Sequence, residues 1–97
     1  MTEEKKNCLK RQINENSQTL SNLEHLICKN AMSRVNGYLN YFISQLSIPF
    51  EQCVYAEMRR ILGQNTFKQL TPEDQYKYIF LQTMLINNEI AKEIKRQ

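Results

Sequence analysis

Apolar residues recur along this chain at helical intervals almost from end to end. In the first segment they fall at Leu9, Ile13, Leu20, Leu23 and Ile27, with Asn16 in the remaining slot. The steps alternate between four and three residues, which is an a/d seam about three heptads long. A second segment carries Ala31, Met32, Val35, Tyr38, Leu39, Phe42, Ile43 and Leu46, the broad stripe of an amphipathic helix. No proline separates the two. Leu20, Leu23, Ile27, Ala31, Val35, Tyr38, Phe42 and Leu46 can therefore line one drifting stripe on a single long helix. An interior glycine costs about 1 kcal/mol against alanine. Any bend or break is thus expected between Asn30 and Gly37, giving helices over 8–30 and 31–46.

The next signals are sharper. Ser47 is a candidate N-cap, with Ile48 and Pro49 in the first turn and Glu51 near the positive helix end. Phe50, Cys53, Val54, Met58, Ile61 and Leu62 share one face, and Gly63 follows as a left-handed C-cap. The pattern predicts a helix over 49–62. Phe67 and Leu70 are expected to pin the connector that follows. Thr71-Pro72-Glu73-Asp74 then reads as N-cap, N1 proline and two first-turn carboxylates. The predicted helix over 72–95 carries Tyr76, Ile79, Phe80, Thr83, Met84, Asn87, Ile90, Ala91 and Ile94 on one side. Tyr78, Leu81 and Leu85 form a second apolar strip. Two apolar sides mean that this helix is central or that a partner covers one of them.

Composition agrees with helices. The chain has 97 residues with two Gly and two Pro, and sheets of short strands need more turn residues than that. The expected fold is all-α: a three- or four-helix bundle with a long N-terminal helix, straight or kinked. Residues 1–7 are expected to be disordered, and 8–97 to form a single domain.

Candidate chemistry is sparse. Net charge is +3, which permits nucleic-acid contact without demanding it. Arg59, Arg60, Lys68 and Lys77 form the best candidate basic patch. The predicted connector is longer than a helix-turn-helix turn, so no recognition helix is evident. Cys8, Cys28 and Cys53 are odd in number and widely spaced, and a lone His25 cannot complete a Cys/His zinc site. They read as reduced thiols in a reducing compartment. Cys28 with His25, three apart on one helix, is a formal dyad without an orienting acid. No Gly-rich phosphate loop or other catalytic motif occurs. No catalytic site, metal or cofactor is therefore expected. There is neither a signal-peptide pattern nor a stretch long enough to span a bilayer, so the expected location is cytoplasmic.

Apolar helix faces remain as the means of action. Leu9, Ile13, Leu20 and Leu23 on the seam, with Tyr78, Leu81 and Leu85, are the candidate partner-binding residues. The expected function is a small non-enzymatic interaction module, an adaptor, chaperone or regulator. It would dock on a second copy, as a homo-oligomer, or on another protein. A nucleic-acid-binding regulator using the basic patch is the alternative.

Overall fold

The computed structural model describes residues 2–45 and 49–96. Among the described residues four α-helices follow in order: α1 (Glu3–Glu24), α2 (Lys29–Ser44), α3 (Phe50–Leu62) and α4 (Pro72–Lys95). The chain is all-α, as its periodicity predicts.

α1 starts five residues before the expected Cys8. Thr2 caps it, its hydroxyl accepting from the Lys5 amide at 3.1 Å, and Glu3 and Glu4 sit at the positive end. Such a cap stabilises a helix start by about 0.5–2 kcal/mol, and the two carboxylates add to it through the helix dipole. The segment expected to be disordered is thus helical from Glu3. Cap signals in Thr2-Glu3-Glu4 carried this information.

α1, 22 residues long, is the long N-terminal helix of the expected bundle; its continuity with α2 is corrected. The chain breaks at His25–Cys28, before the predicted Asn30–Gly37 region, and Gly37 lies inside α2 with open space around it. At the break the Leu26 and Ile27 amides donate to the Leu23 and Glu24 carbonyls in a tightened last turn. Cys28 then takes a φ of −65° and a ψ of 154°, and α2 turns back. The reason is tertiary. Reversal lets Ala31, Val35, Leu39 and Phe42 be buried, at about 1.5–3 kcal/mol per large side chain. The break costs a few helix hydrogen bonds of about 1 kcal/mol net each.

α3 begins one residue later than expected, with Pro49 as the N-cap residue. The predicted Ser47 cap lies outside the described residues, as does Leu46. Gly63 ends α3 at φ 57° and ψ −128°. Its φ is positive as expected, but its ψ is not that of the left-handed helix. A single 3₁₀ turn follows at Phe67–Gln69, and Leu70 is buried, anchoring the connector. α4 is capped as predicted: the Thr71 hydroxyl accepts from the Asp74 amide at 3.2 Å, with Pro72 in the first turn.

α4 is the central helix. α1 runs antiparallel to it, since Glu24 meets Tyr76 and Asn16 meets Asn87. α2 runs parallel, with Arg34 against Glu73 and Tyr38 against Lys77. α3 is antiparallel, with Glu51 at Lys92. Two clusters fill the interior. Val35, Leu39 and Tyr76 join α2 to α4, with Leu20, Leu23 and Ile27 of the α1 end packed against them. Phe42, Val54, Met58, Leu81 and Leu85 join α2, α3 and α4. α1 buries none of its residues fully, so its seam is a half-buried flank.

Candidate interaction surface

The seven predicted partner-binding residues separate into two groups. Leu9, Ile13, Leu20 and Leu23 are half-buried on the face of α1 that meets α4. Their seam is used within the chain. Leu81 is fully buried, Leu85 is buried and Tyr78 is half-buried against the same cluster. The strip Tyr78/Leu81/Leu85 is therefore core, and its expected role as a partner-facing surface does not hold for this fold. Of the two readings of a helix with two apolar sides, the central position is the one realised.

The most exposed large aliphatic side chain among the described residues lies elsewhere. Leu26 is 77% exposed at the α1–α2 joint. It stands at the rim of an apolar cleft of about 260 Å³. Leu23 and Ile27 form one wall from the joint. Pro72, Gln75, Tyr76 and Ile79 form the other from the first turns of α4, and Phe67 closes one end. Local chemistry holds each part. The Gln75 side-chain amide donates to the Phe67 carbonyl at 3.1 Å and ties the 3₁₀ turn to α4. The Phe67 ring also packs at 5.8 Å from that of Tyr78. The Tyr76 hydroxyl donates to the Glu24 carboxylate at 2.7 Å, fixing the end of α1 over α4. Burial and this carboxylate together raise the Tyr76 phenol well above its usual value.

Leu26, Phe67 and Ile79 were not among the predicted partner residues. Leu26 carried one signal: a large aliphatic residue between two stripe positions, with no place on the seam. The pattern places Phe67 and Ile79 toward the core; Phe67 is exposed, Ile79 is half-buried, and both line the cleft. Tyr41 and Tyr55, at the stripe margins, are also exposed.

The basic patch has a defined geometry as well. The Lys77 ammonium lies 4.5 Å from the centre of the Tyr38 ring, and the Arg60 guanidinium 5.8 Å from it. Tyr38 donates to the Glu57 carboxylate, which also receives Arg60. Burial alone would raise the Glu57 carboxyl. Hydrogen bonds from Arg60 and Tyr38, with the nearby positive charge of Arg60 and Lys77, outweigh it and hold the group below its usual range. Lys77 also pairs with Asp74 at 3.7 Å. Two of the four predicted cations are thus already engaged by carboxylates, while Arg59 and Lys68 are exposed.

The Cys28–His25 dyad loses its premise. The two residues flank the joint, His25 as the C-cap of α1 and Cys28 as the N-cap of α2. They do not share a helix face. Among the described residues no three His, Cys, Asp or Glu side chains are grouped to hold a metal ion, and no helix is long and apolar enough to cross a membrane.

No protein-family model matches the chain, and no curated protein or solved structure matches it either.

Proposed function

We propose that this chain is a small non-enzymatic helical interaction module that acts by self-association through the α1–α2 joint. The observation that carries the reading is its surface. The chain exposes 6825 Å². A compact monomer of its 11.6 kDa exposes about 5,800 Å². The radius of gyration, 14.9 Å, likewise exceeds the roughly 12.5 Å of a compact chain this long. The surplus of about 1,000 Å² belongs to an elongated chain of 43 × 31 × 25 Å and is of the order of the roughly 800 Å² that each partner covers in a standard interface. An apolar cleft lined by Phe67 and Tyr76, with exposed Leu26 at its rim, supplies an apolar centre for such an interface, where aromatic residues are enriched.

The test is sedimentation velocity across a range of concentrations from below to above tens of micromolar, for the native chain and for Leu26→Glu. The expected result is a concentration-dependent dimer that the charge abolishes, with the helical circular-dichroism spectrum unchanged. A native chain that stays monomeric throughout overturns the reading. A heterologous partner is then the remaining use of the same cleft.

A further inference from the structure

We propose that the second copy docks by exchanging α1, so that His25–Cys28 straightens and α1–α2 becomes one continuous helix whose α1 half packs on the partner's α4. The proposal rests on the self-association reading above and specifies how the copies meet.

Three observations carry it. The first is a mismatch between pattern and structure at the joint. The stripe Leu20, Leu23, Ile27, Ala31, Val35 and Tyr38 passes through residues 25–28 in helical register, with neither Gly nor Pro among them. A break enforced locally would show such residues or a strong cap. Instead Cys28 makes no side-chain cap hydrogen bond, and its φ of −65° is already helical; its ψ of 154° is what leaves the helix. His25 remains helical at φ −66° and ψ −17°. The break is sustained by tertiary burial, and a partner can supply that burial equally well.

The second observation is the nature of α1. It has no fully buried residue of its own, but Leu20 and Leu23, with Ile27, cover the Val35/Leu39/Tyr76 cluster, so α1 leaves only where the α1 of a second copy takes its place. Its contacts with α4, the Asn16–Asn87 and Glu24–Tyr76 hydrogen bonds included, are all remade across chains after exchange. Exchange of identical elements costs little for this reason. The long helix also regains the hydrogen bonds that the joint forfeits.

The third is Leu26. In the closed chain it projects into solvent, 77% exposed. In a continuous helix it flanks the stripe beside Ile27, at the crossing of the two joints around the twofold axis. There the surplus apolar surface of the joint is covered by its own symmetry mate.

The experiment uses the native chain. One preparation carries ¹³C-labelled leucine methyls, and the other is unlabelled and supplies tyrosine ring protons. The two are unfolded, mixed and refolded together, and cross-chain nuclear Overhauser effects are read by isotope filtering. Leu20 packs against the cluster containing Tyr76 without lining the cleft. Exchange therefore predicts effects from Leu20 methyls of one chain to the Tyr76 ring of the other. A dimer in which only Leu26 methyls reach the other chain's cleft overturns exchange and leaves the self-association reading standing. A monomer overturns both.

Two variants give opposite expected shifts. Cys28→Ala favours a helix through the joint and raises the dimer fraction. Cys28→Pro fits the observed φ yet breaks a continuous helix, so it abolishes the cross-chain effects. Equal dimer fractions in the two folded variants would count against the proposal.

Discussion

Asn16 on α1 donates its side-chain amide to the Asn87 side-chain oxygen on α4 at 2.9 Å, across 71 residues of sequence. Both residues are half-buried in a seam otherwise lined by leucine and isoleucine. Aliphatic contacts tolerate a slip of one helix past the other, but a polar pair does not, because a slip leaves both amides facing apolar neighbours. With Glu24–Tyr76 it gives α1 two fixed points on α4. A double-mutant cycle of Asn16→Ala and Asn87→Ala is expected to show coupling of about 0.5–1.5 kcal/mol, read from urea-unfolding midpoints. Coupling near zero would mean that the pair does not set the register.

Leu81 and Leu26 make a contrasting pair. Leu81 is fully buried among Phe42, Val54, Met58 and Leu85. Leu81→Ala removes packing that cannot collapse easily, and the expected loss is about 2–5 kcal/mol. For a domain of ordinary stability, about 5–15 kcal/mol in total, that is a large share. Leu26→Ala should shift stability by no more than about 0.5 kcal/mol, while weakening self-association. Denaturation below the dimerisation range and sedimentation above it separate the two effects.

The two glycines should respond in opposite directions. Gly63 stands at φ 57° and ψ −128°, a conformation that other residues adopt only with strain. A methyl group there meets nothing within 4 Å, so Gly63→Ala should be destabilising by about 1–3 kcal/mol from the backbone alone. Gly37 lies inside α2, also with nothing within 4 Å. Gly37→Ala should stabilise by about 0.5–1 kcal/mol, through helix propensity and a less disordered unfolded chain. Thermal melts of both variants check the signs.

Helix faces, the α3 end at Leu62–Gly63 and the α4 start were legible because each is local. Thr71, Pro72 and Glu73 sit together, and the stripes need only a count of residues. The reversal at His25–Cys28 was not legible. It depends on α2 finding α4, a contact made 39 residues downstream at Arg34–Glu73 and Tyr38–Lys77. Gly37 was the weakest point by propensity, but the break occurs where reversal aligns Val35 and Leu39 with Tyr76. The same long-range fact determines which strip of α4 is core. Leu81 and Leu85 had the periodicity of a docking face and of an interior face alike, and only the position of α3 separates them. Leu26 shows the converse: its exposure follows from the joint, which no local pattern marks.

Alkaline pH provides the last test. Burial and the neighbouring Glu24 carboxylate raise the Tyr76 phenol above its usual value, and burial with Glu57 does the same for Tyr38. In the unfolded chain both titrate near the ordinary tyrosine value of about 10. The folded state therefore holds these protons more tightly. Their contribution to stability is complete below about pH 10, and it is lost as pH rises from there through the folded-state values. Unfolding midpoints should fall steeply on that side, and tyrosinate absorbance should show two phenols ionising late. Tyr76→Phe keeps the ring in its cluster and removes the proton. Because Glu24 is exposed, it stays solvated, so the variant should cost about 1–2 kcal/mol at neutral pH and show a shallower alkaline decline. An unchanged alkaline slope in Tyr76→Phe would mean that this hydroxyl does not link α1 to α4 in solution.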